Sequence, residues 1–91
     1  MRVTVEFFGP AREAAGLARL GVDCDPPCTA QELVARIARE RGGRLAHLLL
    51  HDDRLALSVL VAVNDRQATD PVPLQDGDEV TVIPPVSGGS R

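Results

Sequence analysis

A chain of 91 residues makes one domain with one small core. Apolar residues are 44% of it but aromatics only 2%, namely Phe7 and Phe8, so aliphatic side chains must fill the interior, and the scarcity of aromatics argues against stacking on nucleic-acid bases. The net charge is −3 and every basic residue is Arg, which removes an electrostatic footprint for nucleic acid, any Schiff-base lysine and any internal lysine acceptor for an isopeptide bond.

Val3, Val5 and Phe7 alternate with Arg2, Thr4 and Glu6, predicting a half-buried strand at the start of the chain. Residues Met1 to Val5 lack the apolar block of a signal peptide, and no run approaches the roughly 20 residues of a membrane-spanning helix. A cytoplasmic protein that engages no membrane is expected. Gly9-Pro10 breaks the strand; Pro10 suits the first turn of a short helix reaching about Ala15, and Gly16 ends it. Arg19 to Asp23 carries a weak second strand pattern, and Asp25-Pro26-Pro27 turns the chain. Thr29-Ala30-Gln31-Glu32 is a capping box. Leu33, Val34, Ile37 and Ala38 then line one helical face, with Arg36, Arg39 and Glu40 opposite, until Gly42-Gly43 stops the helix.

Leu45, Leu48 and Leu49 predict a short second helical turn, with His51-Asp52-Asp53 leading out. The run Leu57 to Val63 is nearly all apolar and predicts a strand central in the sheet. Asn64-Asp65 turns it, and Asp70 to Pro73 is extended and irregular. Leu74 to Asp78 is a turn and Glu79 to Ile83 the last strand, after which Pro84-Pro85 has no N–H to donate to a ladder. The pattern is α+β: a mixed sheet of four or five strands with one main helix across a face, for which a β-grasp arrangement fits. The first and last strands are expected as parallel neighbours in the middle of the sheet. Residues 1–85 form this β-grasp domain and 86–91 a flexible C-terminal tail.

The tail carries the strongest chemical pattern. A carboxylate that must enter a partner's active site needs a narrow, adaptable arm, and Gly88-Gly89 places no side chain beside the reacting carbon. Pro84-Pro85 stiffens the base of the arm, and Pro84 to Gly89 can reach roughly 20 Å. The alternative is an ordinary frayed terminus. Asp76-Gly77-Asp78-Glu79 reads as a turn, being much shorter than the 12-residue ligand series of an EF-hand. From Val61 onward five acids face two arginines, an acidic end that can steer a basic partner.

Cys24-x3-Cys28 and His47-x3-His51 invite comparison with zinc sites, the histidines at a spacing that fits one helical face. The capping-box helix would have to lie inside the intervening 18 residues, so no metal is expected. Cys28 instead suits a staple against Leu33. Phe7 and Phe8 face opposite sides of the first strand; one belongs to the core, and the other anchors a partner or packs under a loop.

Three stretches carry a resemblance. Val5-Glu6-Phe7-Phe8-Gly9-Pro10-Ala11-Arg12-Glu13-Ala14-Ala15-Gly16, then Val61-Ala62-Val63-Asn64, and above all Pro73-Leu74-Gln75-Asp76-Gly77-Asp78-Glu79-Val80 running into Pro84-Pro85-Val86-Ser87-Gly88-Gly89 resemble the small-subunit family of molybdopterin synthase, ubiquitin-like sulfur carriers. The resemblance implies a β-grasp fold and ATP-dependent adenylation of the Gly89 carboxylate by a ubiquitin-activating-like adenylyltransferase. Sulfur then replaces the adenylate to give a thiocarboxylate. The tail inserts into the large subunit of molybdopterin synthase and donates sulfur to a pterin precursor in molybdenum cofactor biosynthesis. The chain would hold no cofactor, ATP being used by the activating enzyme. Its partner-facing residues are expected among Phe7, Phe8, Ile83, Pro84, Pro85 and Val86. The family ends at the second glycine, whereas Ser90-Arg91 follows here. Either a C-terminal peptidase trims them, or they are an appended remnant, or the chain is a non-carrier relative. Carriers for thiamine, cysteine or tRNA thiolation, and a ubiquitin-like modifier or binding module without sulfur chemistry, remain alternatives.

Overall fold

Alternation builds the first strand: β1 (Arg2–Phe7) turns Val3, Val5 and Phe7 inward, each at most 1% exposed. The computed structural model describes residues 1–68 and 70–84, so Pro85, Val86, Gly88 and Gly89 lie outside the described residues. Phe8 leads into α1 (Gly9–Ala15), which has Pro10 in its first turn and closes on Gly16 at φ 81°, a left-handed angle that glycine adopts without cost. β2 (Arg19–Asp23) returns antiparallel to β1.

α2 (Ala30–Arg41) begins at Thr29, where the expected box is complete. The Glu32 N–H donates to Thr29 Oγ1 at 3.1 Å, and the Thr29 N–H donates to the Glu32 carboxylate at 3.1 Å. Leu33, Val34, Ile37 and Ala38 are buried against the sheet, and half-buried Cys28 packs on the same cluster, as a staple would. α3 (Gly43–Leu49) adds Leu45 and Leu49 to the core.

The middle of the chain departs from its sequence pattern. β3 (Leu50–His51) and β4 (Arg54–Leu55) form a hairpin turned by Asp52 and Asp53 at φ 53° and 64°. His51 therefore stands on a strand beyond the end of α3 and shares no helical face with His47. The strand expected from Leu57 is only β5 (Leu60–Val63). The Ala56 N–H bonds to the Leu49 carbonyl at 2.8 Å and the Val59 N–H to the Ala56 carbonyl at 3.0 Å. Those bonds make 56–59 a turn tied to the end of α3, and they outweigh the strand propensity of the segment. β6 (Arg66–Gln67), which has no sequence pattern of its own, pairs back on β5 through Asn64 and Asp65, both left-handed as a two-residue hairpin requires. β7 (Glu79–Ile83) completes the sheet, whose order is β2-β1-β7-β5-β6.

β1 and β7 are parallel neighbours, with Val5 beside Val80 and Phe7 beside Val82. β5 lies antiparallel on the other side of β7, with Val61 opposite Val82. The central strand is thus β7 rather than β5, although β5 is paired on both sides. Inward side chains of β1, β7 and β5 meet those of α2 and α3 in one cluster. Each such fully buried Val, Leu or Phe contributes about 1.5–3 kcal/mol.

Candidate functional site

The two ends of β7 are built differently. Its start is clamped by the Asp76-Gly77-Asp78 turn. The Arg2 N–H donates to Asp76 Oδ1 at 2.7 Å and the Gly77 N–H to the Arg2 carbonyl at 2.8 Å, while the Thr4 N–H reaches the Asp78 carbonyl at 3.1 Å. The Asp78 carboxylate accepts from the Gln75 N–H at 2.8 Å and from Asn64 Nδ2 at 3.0 Å. Asn64 Oδ1 in turn accepts the Glu79 N–H at 3.0 Å, and the Asn64 N–H donates to the Glu79 carbonyl at 2.8 Å. Gly77 takes φ 88°, which a side chain would strain. These carboxylates are occupied by N–H donors, so the acidic turn sets the register of β7 between β1 and β5. Among the described residues no group of three or more His, Cys, Asp or Glu is placed to hold a metal ion.

The far end of β7 is apolar and open. The parallel register ends at Phe7 beside Val82, with Phe8 and Ile83 next on their chains, and Leu60 is the antiparallel partner of Ile83. Phe8 is 50% exposed, Ile83 40% and Leu60 42%, whereas Phe7, Val82 and Val61, one residue away on each strand, are buried. The period of two places each pair on opposite faces. Leu57 is fully exposed and borders the same hollow as Leu60, about 280 Å³ in volume. Among the described residues these four are the exposed large apolar side chains. Between β2 and the neighbouring strands Arg19 lies 3.5 Å from both Glu6 and Glu79, solvent-accessible pairs that add little stability.

Of the residues expected to face a partner, Phe8 and Ile83 are exposed on the outer face. Phe7 belongs to the core and Pro84 is buried, so neither presents its side chain. Pro85 and Val86, like Gly88 and Gly89, lie outside the described residues. The structure adds Leu60 and Leu57. Leu60 was legible from alternation, because Val59, Val61 and Val63 take the inner face; Leu57 was hidden by the turn that the sequence does not reveal.

The cysteines and histidines do not converge. Cys24 is 4% exposed at the end of β2, and the Cys28 Sγ donates to the Thr29 carbonyl at 3.6 Å. Burial pushes the Cys28 thiol up, and the neighbouring Cys24 adds to this. His47 sits on α3 near Pro10 and Ala14, and exposed His51 lies 3.5 Å from Asp52.

A mixed sheet wrapped on one main helix, its first and last strands parallel, defines a β-grasp protein of the ubiquitin-like kind. The chain belongs to the ThiS family, whose pattern matches residues 5–89 and so includes Gly88 and Gly89 but neither Ser90 nor Arg91. It is 39% identical over 87 residues to the molybdopterin synthase sulfur carrier subunit of Escherichia coli (strain K12), covering 96% of this chain and 99% of that protein. The crystal structure of SAMP1 from Haloferax volcanii matches with a TM-score of 0.82 at 25% identity, over 98% of this chain and 100% of that one. A structure of the complex of subunits 1 and 2 of molybdopterin-converting factor from Helicobacter pylori 26695 matches with a TM-score of 0.63 at 29% identity, over 98% and 100%.

Proposed function

We propose that this chain is the sulfur-carrier subunit of a molybdopterin synthase. The Gly89 carboxylate is adenylated by a ubiquitin-activating-like enzyme at the expense of ATP, converted to a thiocarboxylate, and presented to the large subunit for transfer of sulfur to a pterin precursor. The observation that carries this reading is the exposed apolar set Phe8, Ile83 and Leu60, at the end of β7 that precedes Pro84-Pro85 and Gly88-Gly89 in the sequence. An apolar row gives a partner a non-polar contact at the base of the arm, and aromatic anchors contribute most to such contacts. The clamp at the other end of β7 supports it, because a fixed register fixes where the arm starts. Ser90-Arg91 must leave before Gly89 can react, so a C-terminal peptidase belongs to the scheme.

The test compares the 91-residue chain with one ending at Gly89, each given activating enzyme, ATP and a sulfur donor. ATP–pyrophosphate exchange and a mass gain equal to sulfur minus oxygen are expected only for the trimmed chain. Equal exchange by both removes the processing step. Adenylation without any thiocarboxylate would favour a modifier, and a co-purifying enzyme of thiamine, cysteine or tRNA thiolation would reassign the pathway.

A further inference from the structure

We propose that the free edge of β2 is a self-complementary dimerisation surface, on which a second copy of this chain adds its own β2 antiparallel about a two-fold axis at Gly21. The inference goes beyond the carrier reading and uses none of its chemistry. β2 is the outermost strand of the five-stranded sheet, on the side away from β6. The reciprocal bonds between Met1 and Cys24, at 2.9 and 3.0 Å, and the bond from the Phe7 N–H to the Ala18 carbonyl, at 2.8 Å, fix which backbone groups of β2 face β1. They are those of the even-numbered residues. The N–H and C=O of Arg19, Gly21 and Asp23 therefore point away from the sheet. Among the described residues only the Asp23 carbonyl finds a partner there, Arg36 Nη2 at 3.3 Å, and a carbonyl can accept a second bond. A row of unpaired backbone groups is a template for another strand.

Charges on an edge ordinarily blunt such a template. Here they select a register. Arg19 and Asp23 are both exposed and stand at equal distances on either side of Gly21. Antiparallel pairing centred on Gly21 sets Arg19 opposite the partner's Asp23 and, by symmetry, Asp23 opposite the partner's Arg19. Arg19, Gly21 and Asp23 then all meet hydrogen-bonded partners, each pair exchanging both of its N–H···O bonds. In-register parallel pairing would instead set Arg against Arg and Asp against Asp. Within each copy Asp23 lies 3.1 Å from Arg2, and Arg19 lies 3.5 Å from Glu6 and Glu79. The joined outer face therefore alternates in sign, from Arg2 to Asp23 to the partner's Arg19 to the partner's Glu6. On the other face Leu20 and Val22 are half-buried against the core. They fall opposite the partner's Val22 and Leu20 as the closely spaced, non-hydrogen-bonded pairs and lose much of their remaining exposure.

The test is sedimentation equilibrium of the full 91-residue chain in reducing buffer, carried up to about 1 mM because the contact of a single strand edge is small and its dimer weak. A monomer–dimer equilibrium is expected. Arg19→Asp alone sets Asp opposite Asp, and Asp23→Arg alone sets Arg opposite Arg. Each should raise the dissociation constant at least about tenfold, both contacts being changed by symmetry. An equimolar mixture of the two variants should recover the dimer, because the heterodimer sets every Asp against an Arg. Gly21→Pro deletes an outward N–H and no bond to β1, so it should abolish the dimer with circular dichroism like that of the wild type. Should Gly21→Pro fail to fold, the mixture decides alone. Phe8→Ala should leave the dissociation constant unchanged. A chain that stays monomeric throughout the range would overturn the proposal. So would a dimer indifferent to a folded Gly21→Pro, or a mixture that does not reassociate while each charge variant melts like the wild type. A dimer lost in Phe8→Ala but kept in both charge variants would place the contact elsewhere and overturn it as well.

Discussion

The start and the end of β7 use the same strand for opposite purposes. At Glu79 the backbone is held by Asp78, Asn64 and the first residues of β1, with few apolar side chains involved. At Ile83 the outward side chains are apolar and lack a cover within the described residues. Hydrogen-bonded carboxylates and amides give geometry at modest net free energy, because water offers the same bonds to the unfolded chain. Half-exposed apolar side chains contribute less to the isolated fold than core residues do, and supply binding energy once a partner covers the rest. A carrier needs both, a fixed origin for its arm and a sticky collar around it.

Substitutions at the two ends should therefore separate function from stability. The largest functional effect is expected beyond β7, at Gly89→Ala in a chain ending at that residue. The methyl group sits on the carbon next to the reacting carboxylate and narrows the allowed backbone angles; misplacement there should slow sulfur loading or transfer by about a hundredfold. Stability should move by no more than about 0.5 kcal/mol. Thermal melts and single-turnover loading on one preparation check both halves, and wild-type loading would reduce the tail to a frayed end.

Phe8→Ala and Ile83→Ala should each weaken binding to the large subunit by about tenfold or more, a loss of at least about 1.4 kcal/mol, measured by calorimetry. Their melting temperatures should stay near wild type. A large drop in stability with unchanged affinity would invert the comparison.

Asp78→Ala should show the opposite pattern. It leaves the Gln75 N–H and Asn64 Nδ2 without their acceptor and should cost about 1–2 kcal/mol in denaturant unfolding. Affinity for the partner, measured below the unfolding transition, should change little.

The smallest effect is expected from chelation. Cys24, Cys28, His47 and His51 are assigned no metal, so EDTA should leave the melting temperature unchanged. Stoichiometric zinc in purified protein would overturn that assignment.

Local rules were legible in the residues alone. Alternation in Val3-Thr4-Val5-Glu6-Phe7 set β1, Thr29 with Glu32 set the start of α2, and Gly16 and Gly42 set helix ends, because each is decided by neighbours within four positions. Asp-Gly at 76–77 announced a turn for the same reason. Which of Phe7 and Phe8 faces a partner was not legible, since alternation gives opposite faces without saying which is covered by α2.

The amino-acid sequence by itself determined an α+β domain with one capped helix, strands at both ends and a Gly-Gly tail, because capping, period and turn chemistry are short-range. Only the tertiary structure decided that β7 is the central strand, that Leu57 leaves the sheet, and that Phe8, Ile83 and Leu60 stay exposed at one end of it. Those outcomes depend on the pairing of strands 17 to 75 residues apart in sequence or on a turn tied to the end of α3, where packing and long-range hydrogen bonds override local propensity.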